Sequence, residues 1–244
     1  MMLTAAAAWT SVAAAQSAPG STANGYDARA AARHAYVMAG MPYRPEDVRI
    51  VVSVDDRRLY VIAHDDTVRT AVVSVASGQE LNYAGRRWRF DAPRGEHRVR
   101  DKRTDPVWMP PDWHYAEVAS KHGLGLKRLT ASGARLSGGS RIVVRDSVVG
   151  VIQAGDTAFL PLPINEHIVF DSTLYIPPVN THNRRLSGEL GKYALDIGNG
   201  FLLHGTPDQS TIGQAVTHGC IRLADEDLEW LYQYVPVGAA VVVK

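Results

Sequence analysis

Two histidines and one cysteine near the C-terminus have the types and spacing of a nucleophilic centre. His204 lies in the run Leu-Leu-His-Gly-Thr, and His218 and Cys220 lie in the later run Thr-His-Gly-Cys-Ile-Arg. Because alternate side chains of an extended backbone project to the same side, His218 and Cys220 face one way. The loop between the runs contains glycine, proline and aspartate, so we expect the two segments to lie side by side.

The chemistry indicated by this pairing is acyl transfer. A free cysteine is only slightly ionised near neutral pH, and an imidazole within hydrogen-bond reach lowers the pKa of its thiol. The same imidazole can then protonate a leaving amine. We therefore predict that Cys220 is the nucleophile and His204 its base. The backbone N–H groups of Gly219 and Cys220 are open to an incoming carbonyl, and these two amides are the predicted oxyanion hole.

Two other interpretations of the same residues were weighed against this one. A lone cysteine is most often a small buried apolar residue, but the flanking His-Gly-Cys and His-Gly-Thr runs argue against that here. A zinc site formed by His204, His218 and Cys220 is the second alternative, but the spacing fits no common zinc pattern. No metal or other cofactor is therefore predicted.

Other residues that could be mistaken for parts of the site have simpler interpretations. Asp208 follows Pro207 in a loop and is predicted to be a turn residue. Trp108 lies in a proline-rich loop and is predicted to pack rather than to bind. The remaining histidines show no pairing along the sequence and are interpreted as surface or core residues. They are His34, His64, His97, His114, His122, His167 and His182.

Strand patterns dominate the elements that must position this centre. Apolar residues alternate from Val48 to Val75, with turns at Asp55-Asp56 and Asp65-Asp66, which predicts a β-meander. Residues 193–197 and 201–204 form a hairpin in the prediction, because Asn199-Gly200 between apolar runs is a strong turn signal. The fold class is predicted to be mostly β, with few short helices.

Further elements are predicted on both sides of the hairpin. One helix is expected around residues 115–121, and another after Cys220, with Asp225 as its cap and an end at Pro236 and Gly238. Short strands are expected at residues 88–90, 97–99, 142–144, 148–152, 167–170, 174–176 and 240–243. The segment around residues 106–111 is too rich in proline for a central strand.

Composition excludes several classes of function. A formal net charge of +1 without a run of basic residues gives no electrostatic footprint for nucleic acid. A single cysteine excludes an intrachain disulfide and a cysteine-rich metal site. After the first residues, no apolar run is long enough to span a bilayer. The length of 244 residues suits one sizeable domain with an insertion.

The N-terminus has some features of an export signal. Residues 1–15 are apolar and rich in alanine, and the Ala-Ala-Ala-Gln-Ser that follows suits cleavage by a signal peptidase, although no basic residue precedes the run. We interpret residues 1–25 as signal and linker, and residues 26–46 as an N-terminal helical segment. Export to the periplasm or cell wall is expected.

The motif resembles the signature of the L,D-transpeptidases of the YkuD family, the group that includes the ErfK and YbiS type. The likeness extends beyond the motif itself. Ala92-Pro-Arg-Gly resembles the Thr-Pro-x-Gly of the family, and residues 106–111 resemble its Pro-x-Trp-x-Pro-Pro. Residues 190–195 and 225–244 fit the segments that flank its active site. The resemblance covers residues 47–111 and 186–244, which we take as the catalytic domain.

The resemblance implies a two-step reaction on peptidoglycan stem peptides. The thiolate of Cys220 would attack a tetrapeptide stem at the L-centre of its diamino acid, releasing D-alanine and leaving a thioester. An amine of a second stem would resolve the thioester and form a 3→3 crosslink. If water resolved it instead, the protein would be an L,D-carboxypeptidase or amidase. A wall-binding protein with a dead site is the third alternative.

The resemblance also implies roles for the surrounding residues. A backbone carbonyl, rather than an aspartate, would orient His204, and His218 would shape the oxyanion pocket. The predicted substrate-binding residues are Arg222, Thr217, Gly205 and Thr206. Arg222 has a nearly equal structural alternative, pairing with Asp225 or Asp227.

The sequence departs from the family pattern in two places. Thr217 stands where serine is commoner. Residues 112–185 form an insertion that is larger than expected, and we interpret it as a lid or a substrate-recognition subdomain.

Overall fold

The computed structural model describes residues 43–244, and within them the fold is built mainly of strands. The predicted signal and linker, and almost all of the predicted N-terminal helical segment, lie outside the described residues. No helix within residues 43–244 is long and apolar enough to cross a membrane. The mostly-β prediction is confirmed.

The strands and helices follow one another along the described chain. The strands are β1 Val48–Ser53, β2 Arg58–Ala63, β3 Asp66–Ala76, β4 Glu80–Tyr83, β5 Arg86–Arg89, β6 Gly95–Arg98, β7 Asp101–Thr104, β8 Gly125–Arg128, β9 Ala134–Arg135, β10 Arg141–Arg145, β11 Val148–Ile152, β12 Leu160–Pro161, β13 Ile168–Phe170, β14 Thr173–Ile176, β15 Tyr193–Gly198, β16 Phe201–His204, β17 Ala215–Thr217, β18 Ile221–Leu223 and β19 Ala240–Val243. The helices are α1 Asp112–His122 and α2 Asp225–Tyr234, and short 3₁₀ turns lie at Ser137–Gly139, His182–Arg184 and Gln209–Thr211.

One large sheet carries the main core. Its strand order is β6-β19-β1-β2-β3-β18-β16-β15-β7, and β17 also pairs with β3. The sheet curls, so that β6 lies near β15 at its far side. Alternation explains the strands: Val48, Ile50 and Val52 are buried on β1, and Leu59 and Val61 are buried on β2. The meander predicted over residues 48–75 is therefore confirmed.

The predicted turns and helices also form, with two adjustments. Asn199 and Gly200 both have positive φ angles, as the hairpin between β15 and β16 requires. α1 is longer than predicted and ends at Gly123, whose φ of 62° suits the left-handed cap. The prediction that Asp225 caps α2 is wrong, because Ala224 is the cap residue. Asp225 lies in the first turn, where its negative charge interacts favourably with the helix dipole.

Residues 112–185 form smaller sheets outside the large one. Strands β9 to β12 make a four-stranded sheet, and β8, β13 and β14 make a three-stranded sheet. Separate apolar clusters lie beneath them, one around Ile142 and Val149 and another around Tyr115 and Leu174. The segment therefore has cores of its own.

Both ends of this segment return to the same place in the fold. Trp108 and Leu186 exchange two backbone hydrogen bonds of 2.8 Å. The guanidinium of Arg184 donates to the Asp112 carboxylate at 3.0 Å, and also to the carbonyls of Pro110 and Pro177. The two ends of residues 112–185 are therefore held together, and the interpretation of this segment as an insertion stays a prediction.

Asp112 is the charge on which that closure depends. Its carboxylate is mostly buried and is contacted by Arg86 at 2.7 Å, by Arg128 and by Arg184. Burial by itself raises the pKa of Asp112, but the hydrogen bonds from Arg86 and Arg184 and the charges of Arg128 and Arg184 outweigh it, so the pKa is lowered. The carboxylate is therefore ionised at neutral pH.

We expect Asp112→Ala to destabilise the protein by about 3–5 kcal/mol, because Arg184, only 4% exposed, loses its carboxylate partner. Urea denaturation at neutral pH measures this. In the wild type, the ionised Asp112 carboxylate contributes fully to the free energy of unfolding above the ordinary carboxyl pKa of 3.8. That contribution is lost as the pH falls through the lowered pKa of the folded state. Asp55→Ala, which removes an exposed pair with Arg94, should cost less than about 1 kcal/mol. Equal losses in the two variants would contradict this account.

Candidate active site

Strands β16 and β18 bring the predicted catalytic residues together. They pair in parallel, with Leu203 opposite Ile221 and His204 opposite Arg222. Because Cys220 precedes Arg222 by two positions, the side chains of His204, Cys220 and Arg222 are on one face of the sheet. The expected side-by-side arrangement of the two runs is therefore observed.

His204 is buried and oriented by the backbone. It is 5% exposed, and its Nδ1 lies 2.6 Å from the carbonyl oxygen of Gly205. A carbonyl oxygen only accepts, so Nδ1 carries the proton and the Nε2 of the neutral ring has a free lone pair. Burial lowers the pKa of His204 to about 4; the Gly205 hydrogen bond opposes this shift and the Arg222 charge adds to it. His204 is thus neutral at physiological pH.

Cys220 is also in its neutral form. Burial raises the pKa of the Cys220 thiol, a backbone hydrogen bond at Leu202 and the charge of Arg222 oppose that rise, and the charge of Asp196 adds to it. The hydrogen bonds of residues 43–244 include none between the Cys220 thiol and His204. Catalytic hydrogen bonds often tighten only when substrate is bound. In the resting state the Cys220 thiol and the His204 imidazole are therefore both neutral.

Thr217 fixes the turn that carries the cysteine. It is 2% exposed, and its hydroxyl donates to the Cys220 carbonyl at 2.6 Å and accepts from the Gly219 N–H at 3.4 Å. Its carbonyl accepts from the Ser77 N–H at 2.9 Å. These contacts give Thr217 a role in shaping the turn, and its contact with substrate stays a prediction. The Gly219 N–H belongs to the predicted oxyanion hole. Its hydrogen bond to Thr217 is long, so little is lost if this N–H donates to a substrate instead.

Gly219 is required by both conformation and space. Its φ is 134°, and a Cβ there would lie 2.8 Å from the Phe201 ring. A side chain at this position would be strained and would also displace Phe201. The backbone of the turn therefore passes close to Phe201 at the start of β16.

The other predicted substrate residues lie in the loop that follows His204. The Gly205 N–H donates to the Leu190 carbonyl at 2.9 Å, and a Cβ on Gly191 would lie 2.8 Å from the Gly205 Cα. Thr206 is buried, and its hydroxyl accepts from the Asp208 N–H at 3.1 Å. Asp208 caps the next 3₁₀ turn, as its interpretation as a turn residue predicted.

Arg222 lies on the site face and is incompletely paired. One guanidinium nitrogen donates to the Thr211 hydroxyl at 3.0 Å, and its buried Nε has no hydrogen-bond partner among the described residues. The structural alternative of pairing with Asp227 is not observed, because Asp227 binds Arg69 at 2.6 Å. Arg222 therefore has donor capacity left for a ligand.

His218 contacts α1. Its ring stacks on Trp113, with centroids 4.0 Å apart and planes 13° apart, and meets the edge of Phe90 at 4.4 Å. Its Nε2 lies 3.2 Å from the carboxylate of Glu117. The sequence analysis missed these partners, because Trp113 and Glu117 lie about a hundred residues before His218 in the chain. Their i, i+4 spacing places them on one face of α1, but it does not indicate what that face contacts.

The expectation that the other histidines are unpaired is wrong for two of them. The Nε2 atoms of His114 and His167 lie 3.4 Å apart, and their rings stack. Residues 43–244 contain no group of three or more His, Cys, Asp or Glu side chains that could hold a metal ion.

Fold and site together define a mostly-β protein with a buried histidine at the end of one strand and a half-buried cysteine just before its neighbour. Residues 47–243 match the family model of the YkuD L,D-transpeptidase catalytic domain. The chain belongs to this family, and the resemblance seen in the sequence motif is confirmed.

Individual relatives match over shorter stretches or at lower identity. A 52-residue stretch is 48% identical to the probable L,D-transpeptidase YbiS of Escherichia coli K12, covering 21% of this chain and 17% of YbiS. The same length is 44% identical to the probable L,D-transpeptidase ErfK/SrfK of Salmonella typhimurium, with the same coverage.

Among solved structures, an L,D-transpeptidase from Xylanimonas cellulosilytica is 16% identical with a TM-score of 0.42, covering 86% of this chain and 68% of its own. L,D-transpeptidase 3 of Mycobacterium tuberculosis, solved with a faropenem-derived adduct, is 18% identical with a TM-score of 0.41, covering 81% of this chain and 60% of its own.

The neutral resting pair predicts how Cys220 responds to pH. Cys220 is the one cysteine of the sequence, so iodoacetamide alkylation of thiol reports on it alone. We expect the alkylation rate to rise through a midpoint above 9.0, because burial raises the thiol pKa above that ordinary value. His204→Asn should leave this midpoint nearly unchanged. A midpoint below pH 7 that His204→Asn raises would reveal a resting thiolate–imidazolium pair and contradict this assignment.

Proposed function

We propose that this chain is an exported cysteine L,D-transpeptidase that crosslinks peptidoglycan stem peptides. Family membership supports the general activity. The observation that carries the specific proposal is the geometry of the base: Nδ1 of His204 is held by the Gly205 carbonyl, which leaves Nε2 free on the face that Cys220 shares. Such a base can remove a thiol proton at the moment of attack.

The first half-reaction forms a thioester. His204 Nε2 takes the thiol proton while Cys220 Sγ attacks the carbonyl at the L-centre of the third residue of a tetrapeptide stem. The amides of Gly219 and Cys220 donate to the oxyanion of the tetrahedral intermediate. Collapse breaks the C–N bond, and D-alanine leaves with the proton held by His204.

The second half-reaction transfers the acyl group. The side-chain amine of a second stem attacks the thioester carbonyl, and His204 accepts the amine proton. Collapse breaks the C–S bond, the proton returns to Cys220, and a 3→3 peptide bond remains. No cofactor enters either step, since the proton and the acyl group are carried by His204 and Cys220.

Arg222 is the residue best suited to hold the donor stem. Its buried Nε has no hydrogen-bond partner within residues 43–244, while another guanidinium nitrogen is held by Thr211, so the group is oriented before substrate arrives. Burial lowers the pKa of Arg222, although the charge of Cys220 when it is ionised, and the charges of Asp208 and Glu189, oppose this. A carbonyl or carboxylate of the stem would satisfy the free donor.

The assigned nucleophile is tested by incubating purified disaccharide-tetrapeptide with wild-type protein and with Cys220→Ala. We expect the wild type to yield a dimer lighter by one D-alanine in mass spectrometry and the variant to yield none, because no thioester can form. The variant should keep the fold, as measured by circular dichroism. Tripeptide alone from the wild type would identify water as the acceptor and replace crosslinking with trimming. Turnover by Cys220→Ala would refute the mechanism.

The role of Arg222 predicts a loss in substrate affinity. We expect Arg222→Met to lower kcat/KM by roughly 10- to 100-fold, the effect of a lost charged hydrogen bond, mostly through KM. Thr211→Val removes the anchor but keeps the guanidinium, and should change kcat/KM by less than about 5-fold. Steady-state kinetics on the tetrapeptide checks both. If Thr211→Val equals Arg222→Met, Arg222 acts only by fixing the loop.

A further inference from the structure

Helix α1 meets the turn of residues 217–220 at the side chain of His218. Three groups surround its ring: the face of Trp113, the edge of Phe90 and the carboxylate of Glu117. Trp113 and Glu117 belong to α1, and Phe90 directly follows β5. His218 is thus held by a cage, defined here as Phe90, Trp113 and Glu117.

We infer that Trp113 and Glu117 are positioning residues, which hold His218 and through it the backbone amides that receive the oxyanion. The inference rests on the proposed acyl transfer at Cys220. It makes the insertion a built-in part of the active site, whether or not the rest of the insertion also acts as a lid or a recognition surface.

The geometry of the turn explains how the orientation of His218 in the cage can set the orientation of the Gly219 and Cys220 N–H groups. On one side of His218, Thr217 is held by two hydrogen bonds. Its hydroxyl donates to the Cys220 carbonyl, and its own carbonyl accepts from the Ser77 N–H. Gly219 on the other side is confined against the Phe201 ring. His218 lies between these two held residues, and its side chain is held by α1. The orientation of that side chain therefore sets the backbone angles of the turn between Thr217 and Gly219.

The pairing also fixes the proton on His218. A carboxylate only accepts, so the Nε2 that faces Glu117 carries a hydrogen. The planar stack on Trp113 holds the ring at one angle, and the Phe90 edge closes the side of the cage. Glu117 therefore selects the ring nitrogen that donates, and the two aromatic residues select the ring plane.

The base of the cage is rigid. α1 begins at Asp112, whose carboxylate binds three arginines, and Trp113 is the next residue. Trp113 also packs against Trp108, at 6.0 Å between ring centroids, in the loop that precedes the insertion. Phe90 in turn exchanges backbone hydrogen bonds of 2.9 Å with residues 78 and 79, just after β3, which ties the cage to the end of a strand of the large sheet.

The test compares two reactions of the same thiol. Acylation of Cys220 by p-nitrophenyl acetate passes through a tetrahedral oxyanion: Sγ bonds to the acyl carbon, the thiol proton goes to His204, and p-nitrophenolate leaves. Alkylation by iodoacetamide displaces iodide and forms no oxyanion. A positioning role affects the first reaction and spares the second, whereas general disruption of the site slows both.

We expect Glu117→Ala to slow acylation by roughly 10- to 100-fold, as small misplacements of a catalytic group do, and to change alkylation by less than about 2-fold. Glu117→Gln keeps an acceptor oxygen at the same reach and should restore most of the acylation rate. Trp113→Phe should likewise retain more acylation than Trp113→Leu. Glu46→Gln, which alters an exposed carboxylate before β1, is the matched control and should be silent.

Acylation by Glu117→Ala at the wild-type rate would overturn the inference, and so would equal slowing of acylation and alkylation. Neither result depends on peptidoglycan. If wild-type protein is acylated by the ester but releases no D-alanine from tetrapeptide, the proposed function fails while the inference is still tested. Nitrogen-15 spectra of the histidine rings give a second readout: the protonated Nε2 of His218 should be lost or become mixed in Glu117→Ala.

Discussion

The parallel pairing of β16 with β18 is the constraint on which the site depends. Parallel neighbours cannot be joined by a tight turn, so the chain leaves His204, crosses through residues 205–217 and returns beside its own start. During this crossing β17 pairs with β3, which places β18 between β3 and β16. The end of one strand and the beginning of the other then meet in the interior of the sheet, where flanking strands fix both.

Burial at that meeting point determines the chemistry. Removing water penalises the charged form of each group, so His204 and Cys220 are both neutral at rest, and ionisation is postponed until a proton can be passed between them. The hydrogen bond to Gly205 takes the place that a carboxylate has in other triads. A carbonyl orients the ring without adding a negative charge, which is consistent with the depressed pKa of His204.

The insertion is joined to this centre at both of its ends and along its first helix. Arg184 and Asp112 close the segment, Trp108 and Leu186 bridge beneath it, and α1 carries Trp113 against His218. A buried ion pair of this kind is weak evidence for net stability, but it specifies one arrangement, because either charge left alone in the interior is costly. The same contacts that close the insertion therefore also orient the catalytic turn.

The sequence by itself determined the local features of the protein. Alternation marked the meander and the hairpin strands, Asn199-Gly200 marked their turn, and the Thr-His-Gly-Cys-Ile-Arg run with the upstream His-Gly-Thr marked the family and its predicted nucleophile. These signals are legible because backbone conformation and side-chain chemistry depend on residues close together in the chain.

Only the tertiary structure decided which distant residues meet. It paired the Thr217 carbonyl with the Ser77 N–H, left the Nε of Arg222 without a hydrogen-bond partner among the described residues, and placed Trp113 against His218. It also showed His114 beside His167, which no spacing along the chain indicated. Such contacts join positions tens of residues apart, and their free energy depends on burial and on the exact packing of whole elements. That information is distributed over the fold and has no local signature in the sequence.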